Sequence, residues 1–299
     1  NAHRFSILNA RDAAERGAIL LPQTEVHSFA PREGQWVVKI GVIPETIRCK
    51  IIVDTLPKTD PDRPSQFAKI ALFDRVGDVP SFLDQMETEV HFCVEFCDNS
   101  AALGVVSSHN PGNDWLDVVS AKASFSHAPF WVSNSFLVNQ STHDGLQIDG
   151  DPPIFRISGV KSFEWRLFAE NTVAEMAPYV RMIGKSWTDH TTLPGGDFQP
   201  SIGSQLLEDL EQSYPDVQAE DLSRLFKSYG TDCHAILDNS AGLGVPFGHG
   251  LFEAEVRWLL EKELARTADD IVWRRTLLGM HMEQAEVASL QKWVIANRH

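Results

Sequence analysis

Cationic side chains are scarce in this chain: 26 Lys and Arg stand against 41 Asp and Glu in 299 residues, a formal net charge of −15. Neutralising nucleic-acid phosphates takes clustered Lys and Arg, and no such cluster stands out, which excludes a broad nucleic-acid-binding face. Cysteine is equally sparse. Cys49, Cys93, Cys97 and Cys233 are too few and too scattered for a disulfide framework, so reduced thiols are expected. In the run from His91 to Cys97, alternation puts His91, Cys93, Glu95 and Cys97 on one strand face, an arrangement that suggests metal. Geometry argues against it: Cys93 and Cys97 would lie about 13 Å apart along a strand, whereas zinc thiolates sit about 2.3 Å from a shared ion. No metal is expected. There is no run of about 18 apolar residues for a membrane-crossing helix, and residues 1–17 lack the basic-then-apolar layout of a signal peptide. These absences read as a soluble, cytoplasmic protein. Also missing are the Gly-x-Ser-x-Gly elbow, His-Glu-x-x-His and the P-loop, so none of these catalytic sets is present.

What is present is globular material, with 43% apolar residues and enough length for two domains. Phe5, Leu8 and Ala13 among polar pairs predict an amphipathic helix over Asn1–Gly17, with Arg16-Gly17 as its stop. Ala18-Ile-Leu-Leu21 reads as a short buried strand. Trp36–Ile40 and Ile47–Val53 read as further strands, with turns at 31–34 and 41–45. Pro and Asp mark 58–64 as a linker. Gln66–Trp131 alternates short apolar and polar runs, including Glu89–Phe96, Ala102–Ser107 and Trp115–Val119, and is expected to be mostly sheet. Trp165, Phe168, Ala169, Thr172 and Met176 make a helical stripe that Pro178 limits. After Leu193-Pro-Gly-Gly-Asp197 the composition turns helical, with helices expected over 204–213, 218–229 and 231–239 and a last one through Val287, Leu290, Val294 and Ile295. The domain boundary is placed near Gly195.

The most informative run is Leu251–Gly279. Phe252, Val256, Leu259 and Leu260 recur at helical spacing, while Glu253, Arg257 and Glu261 stand four apart, which predicts an amphipathic helix. Thr267-Ala-Asp-Asp270 fits a capping box that starts a second helix, with Asp269 and Asp270 at its positive end and Gly279 placed to stop it. The run Ala265-Arg-Thr-Ala-Asp-Asp-Ile-Val-Trp-Arg-Arg-Thr276, followed by Leu-Leu-Gly279, resembles the signature of the small helical C-terminal domain of FAD-dependent (respiratory) glycerol-3-phosphate dehydrogenases. Leu251-Phe-Glu-Ala-Glu-Val256 and Leu193-Pro-Gly-Gly-Asp197 fit the same family in the same order. The resemblance implies an α+β chain. Residues 1–195 would be a remnant of an FAD-dependent oxidoreductase, α/β plus an antiparallel substrate sheet, and residues 196–299 an all-helical C-terminal domain.

The same resemblance supplies expectations about a site. Asn9–Ala18 is similar to the helix that enters the later part of the family's FAD-binding domain. The family holds the FAD pyrophosphate on a GxGxxG-type turn, which this chain lacks. Its next flavin-facing strand ends in a small-residue turn with Gly before Pro, where this chain has Ile51-Ile-Val-Asp-Thr-Leu-Pro57. Asp54 there also reads as a plain strand-end turn residue. Arginines that receive phosphate in the family align with Phe136 or Leu137 and with His143. Gly159-Val-Lys161 resembles a Gly-Gly-Lys whose lysine lies near substrate and flavin. Lys161 and His143 are therefore the candidate substrate-binding residues, and Gly159 and Lys161 the candidate cofactor contacts. No catalytic residue is assigned. Plainer readings stand beside these: Lys161 solvated at a helix start, His143 in a turn, and Gly242–Gly248 as a structural loop rather than an anion cradle.

Two functions follow. One is a diverged, dehydrogenase-like protein that is not catalytic alone, binds no cofactor itself, and acts as a regulatory, sensing or assembly protein toward a protein partner or a small anionic ligand. The other is FAD-dependent oxidation of glycerol 3-phosphate to dihydroxyacetone phosphate, with electrons passed to quinone. Homo-oligomerisation and a peripheral contact with the inner membrane face remain open under either.

Overall fold

The computed structural model describes residues 2–41, 46–56, 66–74, 82–85, 89–95, 100–107, 114–117, 131–132, 136–138, 145–158, 164–181, 184–238 and 242–297. They are of the α+β class. Two compact units form, one from residues 1–24 with 186–299 and the other from 25–185. The change of composition noticed near Gly195 therefore lies a few residues inside the first unit, which also takes up the N-terminal segment.

That segment is α1 (Ala2–Glu15). Its end is a Schellman motif, in which Ala18 N–H bonds to Ala13 O and Gly17 N–H to Ala14 O. Gly17, at φ +100°, supplies the left-handed step that a Cβ disfavours. The stop expected at Arg16-Gly17 is thus the observed one. Ala18-Ile-Leu-Leu21 departs from expectation, since it forms no strand and Ile19 is 85% exposed. An unalternated apolar run suits a strand covered on both faces, and among the described residues no strand lies beside it.

The unit 25–185 is built of sheets. β1 (Val26–Arg32), β2 (Gln35–Ile40) and β3 (Thr46–Cys49) make an antiparallel meander. Ile47–Val53, expected as one strand, is two. β3 pairs with β2, whereas β4 (Ile52–Asp54) runs parallel to another strand, so the chain changes sheets at Lys50-Ile51. A six-stranded sheet contains β5 (Gln66–Asp74), β6 (Phe82–Gln85), β7 (Glu89–Glu95), β8 (Ser100–Ser107), β9 (Trp131–Val132) and β10 (Phe136–Val138), in the order β10-β5-β8-β7-β6, with β9 paired to β5. The sheet expected over 66–131 is present in these strands. Trp115–Val119 is the exception, because 115–117 is a helical turn around the buried Trp115. A third sheet is β11 (Gly145–Asp149), β12 (Ile154–Ser158) and β4, and the indole of Trp36 donates to Pro153 O at 3.1 Å beside it. α2 (Trp165–Glu175) follows, burying Thr172 of its expected stripe.

The rest of the first unit is helical. α3 (Gly203–Ser213), α4 (Ala219–Tyr229) and α5 (Cys233–Asp238) lead to the hairpin of β13 (Pro246–Gly248) and β14 (Leu251–Phe252), then to α6 (Glu253–Lys262) and α7 (Gln284–Asn297). Leu210, Leu222, Leu225, Ile236, Leu259, Ile271 and Leu290 lie at the centre of one core, 0 to 2% exposed. Each such side chain contributes about 1.5–3 kcal/mol relative to exposure. The Leu-Pro-Gly-Gly-Asp run is seated against the end of α4. A Cβ on Gly195 would fall 2.2 Å from Tyr229 O, and one on Gly230 would fall 1.8 Å from Gly195 O. The two backbones touch, and Thr231 N–H donates to Gly195 O at 3.1 Å.

After α6 the chain turns at Leu264 (φ +58°), and residues 270–275 wind as a π-helix, with Thr276 N–H reaching Ile271 O, five residues back, at 3.0 Å. Gly279 does not stop this helix. Leu277, at φ +62°, makes the left-handed step, and Gly279 lies in the following 3₁₀ turn. Its small size answers a different need: a Cβ there would sit 2.7–2.8 Å from three ring atoms of Trp273. Gly279→Ala is expected to cost about 1–3 kcal/mol through overpacking, read as a lower urea midpoint. An unchanged midpoint would mean that the indole can move away freely.

Candidate functional site

Lys161, Gly159 and His143 lie outside the described residues. Phe136 and Leu137, aligned with a phosphate-binding arginine, stand in β10 opposite Ala68 and Phe67. The strand end that aligns with the family's flavin-facing turn is described through Leu56. β4 pairs in parallel with β12, matching Asp54 to Arg156. Asp54 Oδ1 accepts the Leu56 N–H at 3.1 Å, and Oδ2 lies 3.9 Å from Arg156 Nε, while Arg156 also pairs with Asp149. The first contact is an Asx turn, so Asp54 behaves as a strand-end turn residue. A turn whose N–H is used internally and whose tip carries a carboxylate does not fit the close backbone approach of an anionic dinucleotide.

The strongest constellation of charges lies elsewhere, inside the helical unit. Glu263, 0% exposed, accepts Arg4 Nε at 3.1 Å and Nη2 at 2.7 Å. Its carbonyl oxygen accepts Arg275 Nε at 3.0 Å and Nη2 at 2.8 Å. The Arg4 guanidinium lies 4.1 Å from the centre of the Tyr229 ring, and the Tyr229 hydroxyl donates to Glu255 Oε1 at 2.6 Å. Glu255, 1% exposed, also receives the Arg224 fork at 2.9 and 2.5 Å, and Arg224 Nη2 reaches Gly250 O at 2.6 Å. A ladder of buried ions and one phenol thus ties α1, α4, α6, the hairpin and the π-helix together. Burial, then the nearby Glu255 charge, pushes the Tyr229 phenol well above its ordinary range. Burial pulls the Arg275 guanidinium down, and Asp270 and Glu263 act against that pull.

Glu255 and Arg275 lie inside the motifs that carry the resemblance but have no role assigned there, and Arg4, Arg224, Tyr229 and Glu263 lie outside those motifs, although one signal was there. Glu255 stands four residues before Leu259, on the apolar stripe of α6, where a carboxylate has to be met by a cation. Which cation could not be read, because Arg4 and Arg224 come from distant segments. Chemically the ladder is closed. Arg224 Nε has no hydrogen-bond partner among the described residues, but it faces Gly250, whose added Cβ would lie 3.3 Å away. A 540 Å³ cleft nearby is lined by Glu211, Ala219, Glu220, Ser223, Arg224 and Lys227, acids and bases together, with no single-sign field for a phosphate. Cys233 is fully buried, and burial raises its thiol to about 11, far from a nucleophile's range. Among the described residues no group of His, Cys, Asp and Glu is arranged to hold a metal.

The Gly242–Gly248 loop resolves as structure. Val245 N–H donates to Glu253 Oε2 at 3.3 Å, and Gly244 is pressed against the Glu253 side chain, so the carboxylate the loop meets is its own. The capping box is present as read. Asp270 N–H donates to Thr267 Oγ1 at 3.1 Å, and Asp270 Oδ2 accepts the N–H groups of Arg266 at 3.0 Å and Thr267 at 3.1 Å. Burial opposes its charge, but the N–H of Arg266 and the Thr267 hydroxyl and N–H hold Asp270 below the ordinary 3.8. A depressed folded value stabilises above the unfolded one, and that stability is lost as pH falls through the folded value. Asp270→Asn should therefore lower Tm at neutral pH, costing about 0.5–2 kcal/mol for a damaged cap, and the gap to wild type should narrow below the ordinary value of 3.8. A gap that stays constant down to the acid transition would show that ionisation of Asp270 contributes nothing.

Comparison with known proteins fits the helical unit. Residues 186–296 match the C-terminal domain of alpha-glycerophosphate oxidase as a family. The aerobic glycerol-3-phosphate dehydrogenase of Escherichia coli (strain K12) is 32% identical over 151 residues, covering 49% of this chain and 30% of that protein. The glycerol-3-phosphate dehydrogenase of Pseudomonas aeruginosa is 32% identical over 149 residues, 49% of this chain and 29% of that one. D-erythritol 1-phosphate dehydrogenase of Brucella abortus is 32% identical over 151 residues, 50% and 30% of the two chains. The matched region thus spans under a third of each of these relatives. Among solved structures, the flavin-dependent halogenase CmlS aligns over 96% of this chain and 57% of its own at 11% identity, with a TM-score of 0.38, a level that carries no argument about chemistry. The resemblance read from the motifs is borne out as a likeness: residues 186–296 match the family's C-terminal domain, and about half of the chain is similar to glycerol-3-phosphate dehydrogenases.

Proposed function

We propose that this chain does not oxidise glycerol 3-phosphate by itself and acts through its surfaces, as a regulatory, sensing or assembly protein of the cytoplasm. One observation carries the reading: Arg4 and Arg275 are buried against the Glu263 carboxylate and carbonyl, and Arg224 is forked onto the buried Glu255, so the arginine charges of this ladder are met within it rather than by a substrate phosphate. The Asp54 turn adds support, since its geometry does not fit a flavin. The candidate residues for a remnant anion site are Lys161 and His143 for substrate, and Gly159 with Lys161 for cofactor. No described helix is long and apolar enough to cross a membrane.

The names of the relatives favour a second reading, in which the chain is part of an FAD-dependent dehydrogenase whose flavin segment is supplied by other sequence. Absorbance of the purified chain between 350 and 500 nm separates the two. The first reading expects a colourless protein that stays colourless after incubation with FAD and gel filtration. A stoichiometric yellow flavin overturns it. For the anion site, inorganic phosphate or glycerol 3-phosphate should raise Tm in wild type and not in Lys161→Ala. An equal rise in both places the anion elsewhere.

A further inference from the structure

α1 belongs to the helical unit, yet the whole of 25–185 separates it in the chain from 186–299. Its attachment is specific. Arg4 forks onto Glu263, and Arg11 reaches Asp232 through Nη1 at 2.6 Å and Nη2 at 3.4 Å. The two arginines are seven residues apart, hence on one face of the helix, with Phe5 and Leu8 half-buried between them. Each guanidinium also lies over a ring of the helical unit, Arg4 at 4.1 Å from Tyr229 and Arg11 at 5.0 Å from Trp258. The carboxylates that receive them are withdrawn from water, the Glu263 side chain being 0% exposed and that of Asp232 16%. A carboxylate paired with an aromatic face, used twice at heptad spacing, selects arginine over lysine, because only guanidinium is both forked and planar. Past Arg16 the attachment ends, with Gly17, Ile19, Leu21 and Gln23 exposed and without regular structure.

We propose that the helical unit is a receptor for an arginine-bearing amphipathic helix, reading two arginines seven residues apart through Glu263 with Tyr229 and Asp232 with Trp258. α1 is its resident occupant, docked as a separable element. The chain leaves this unit after Thr24 and returns to it at Ser186. Release of α1 uncovers the carboxylates of Glu263 and Asp232. Two arginine contacts, rather than a continuous core, then decide whether the latch is closed.

The test uses the full chain with a site for a sequence-specific protease placed in 17–24. After cleavage, the α1 fragment is expected to co-elute with the remainder on size exclusion at low salt, and to separate in the Arg4→Ala/Arg11→Ala variant. A wild-type fragment that falls away, or a double variant that retains it, overturns the proposal. Hydrogen exchange on the uncleaved Arg11→Ala chain provides a second readout that does not depend on cleavage. Amides of α1 should exchange at least about tenfold faster while those of α6 keep their wild-type rates. Equal acceleration in α6 would make α1 an inseparable part of the core and sink the receptor reading, as would unchanged protection of α1.

Discussion

Glu263 has no access to water, and its position at the end of α6 makes it the point on which the helical unit depends. A buried carboxylate without a partner costs several kcal/mol, so while α1 covers Glu263 a cation has to be brought against it, and Arg4 is that cation. The same residue's carbonyl, freed by the end of the helix, takes both donors from Arg275. One residue thus answers two arginines, one from the start of the chain and one from the π-helix near its end. Glu255, two turns earlier on α6, repeats the device with Arg224 and Tyr229.

The joint between α6 and the π-helix exists to serve this arrangement. Leu264 turns left-handed, Thr267 and Asp270 close a reciprocal cap, and the wider π winding precedes the left-handed Leu277. Two non-glycine residues at positive φ in fourteen positions store strain. The buried side chains on either side, Leu259, Ala265, Ile271 and Val272, hold it in place. The Gly195–Gly230 contact does similar work at the entrance to the helical unit, where two backbones meet with no room for a Cβ on either.

A domain knit this tightly through its own charges is well made for persistence and poorly made for binding a phosphate with those same groups. That is why its match to the C-terminal domain of alpha-glycerophosphate oxidase speaks to scaffold before it speaks to turnover. In the sheet unit, the carboxylate and Asx turn at Asp54 give a different strand end from the one the family resemblance implied.

Local patterns determined much of this protein in advance. The capping box at Thr267–Asp270, the α1 stop at Gly17 and the periodicity of α6 involve residues within a few positions of one another, so their geometry is written in spacing. Tertiary structure alone decided the rest. Leu277 displaced Gly279 as the helix stop because Trp273 needed the glycine's empty side, and Ile47–Val53 divided because its two halves found partners in different sheets. The pairing of Arg4 with Glu263 was illegible for a physical reason: every exposed arginine and every buried one look alike in sequence, and only the folded chain withdraws water from some of them.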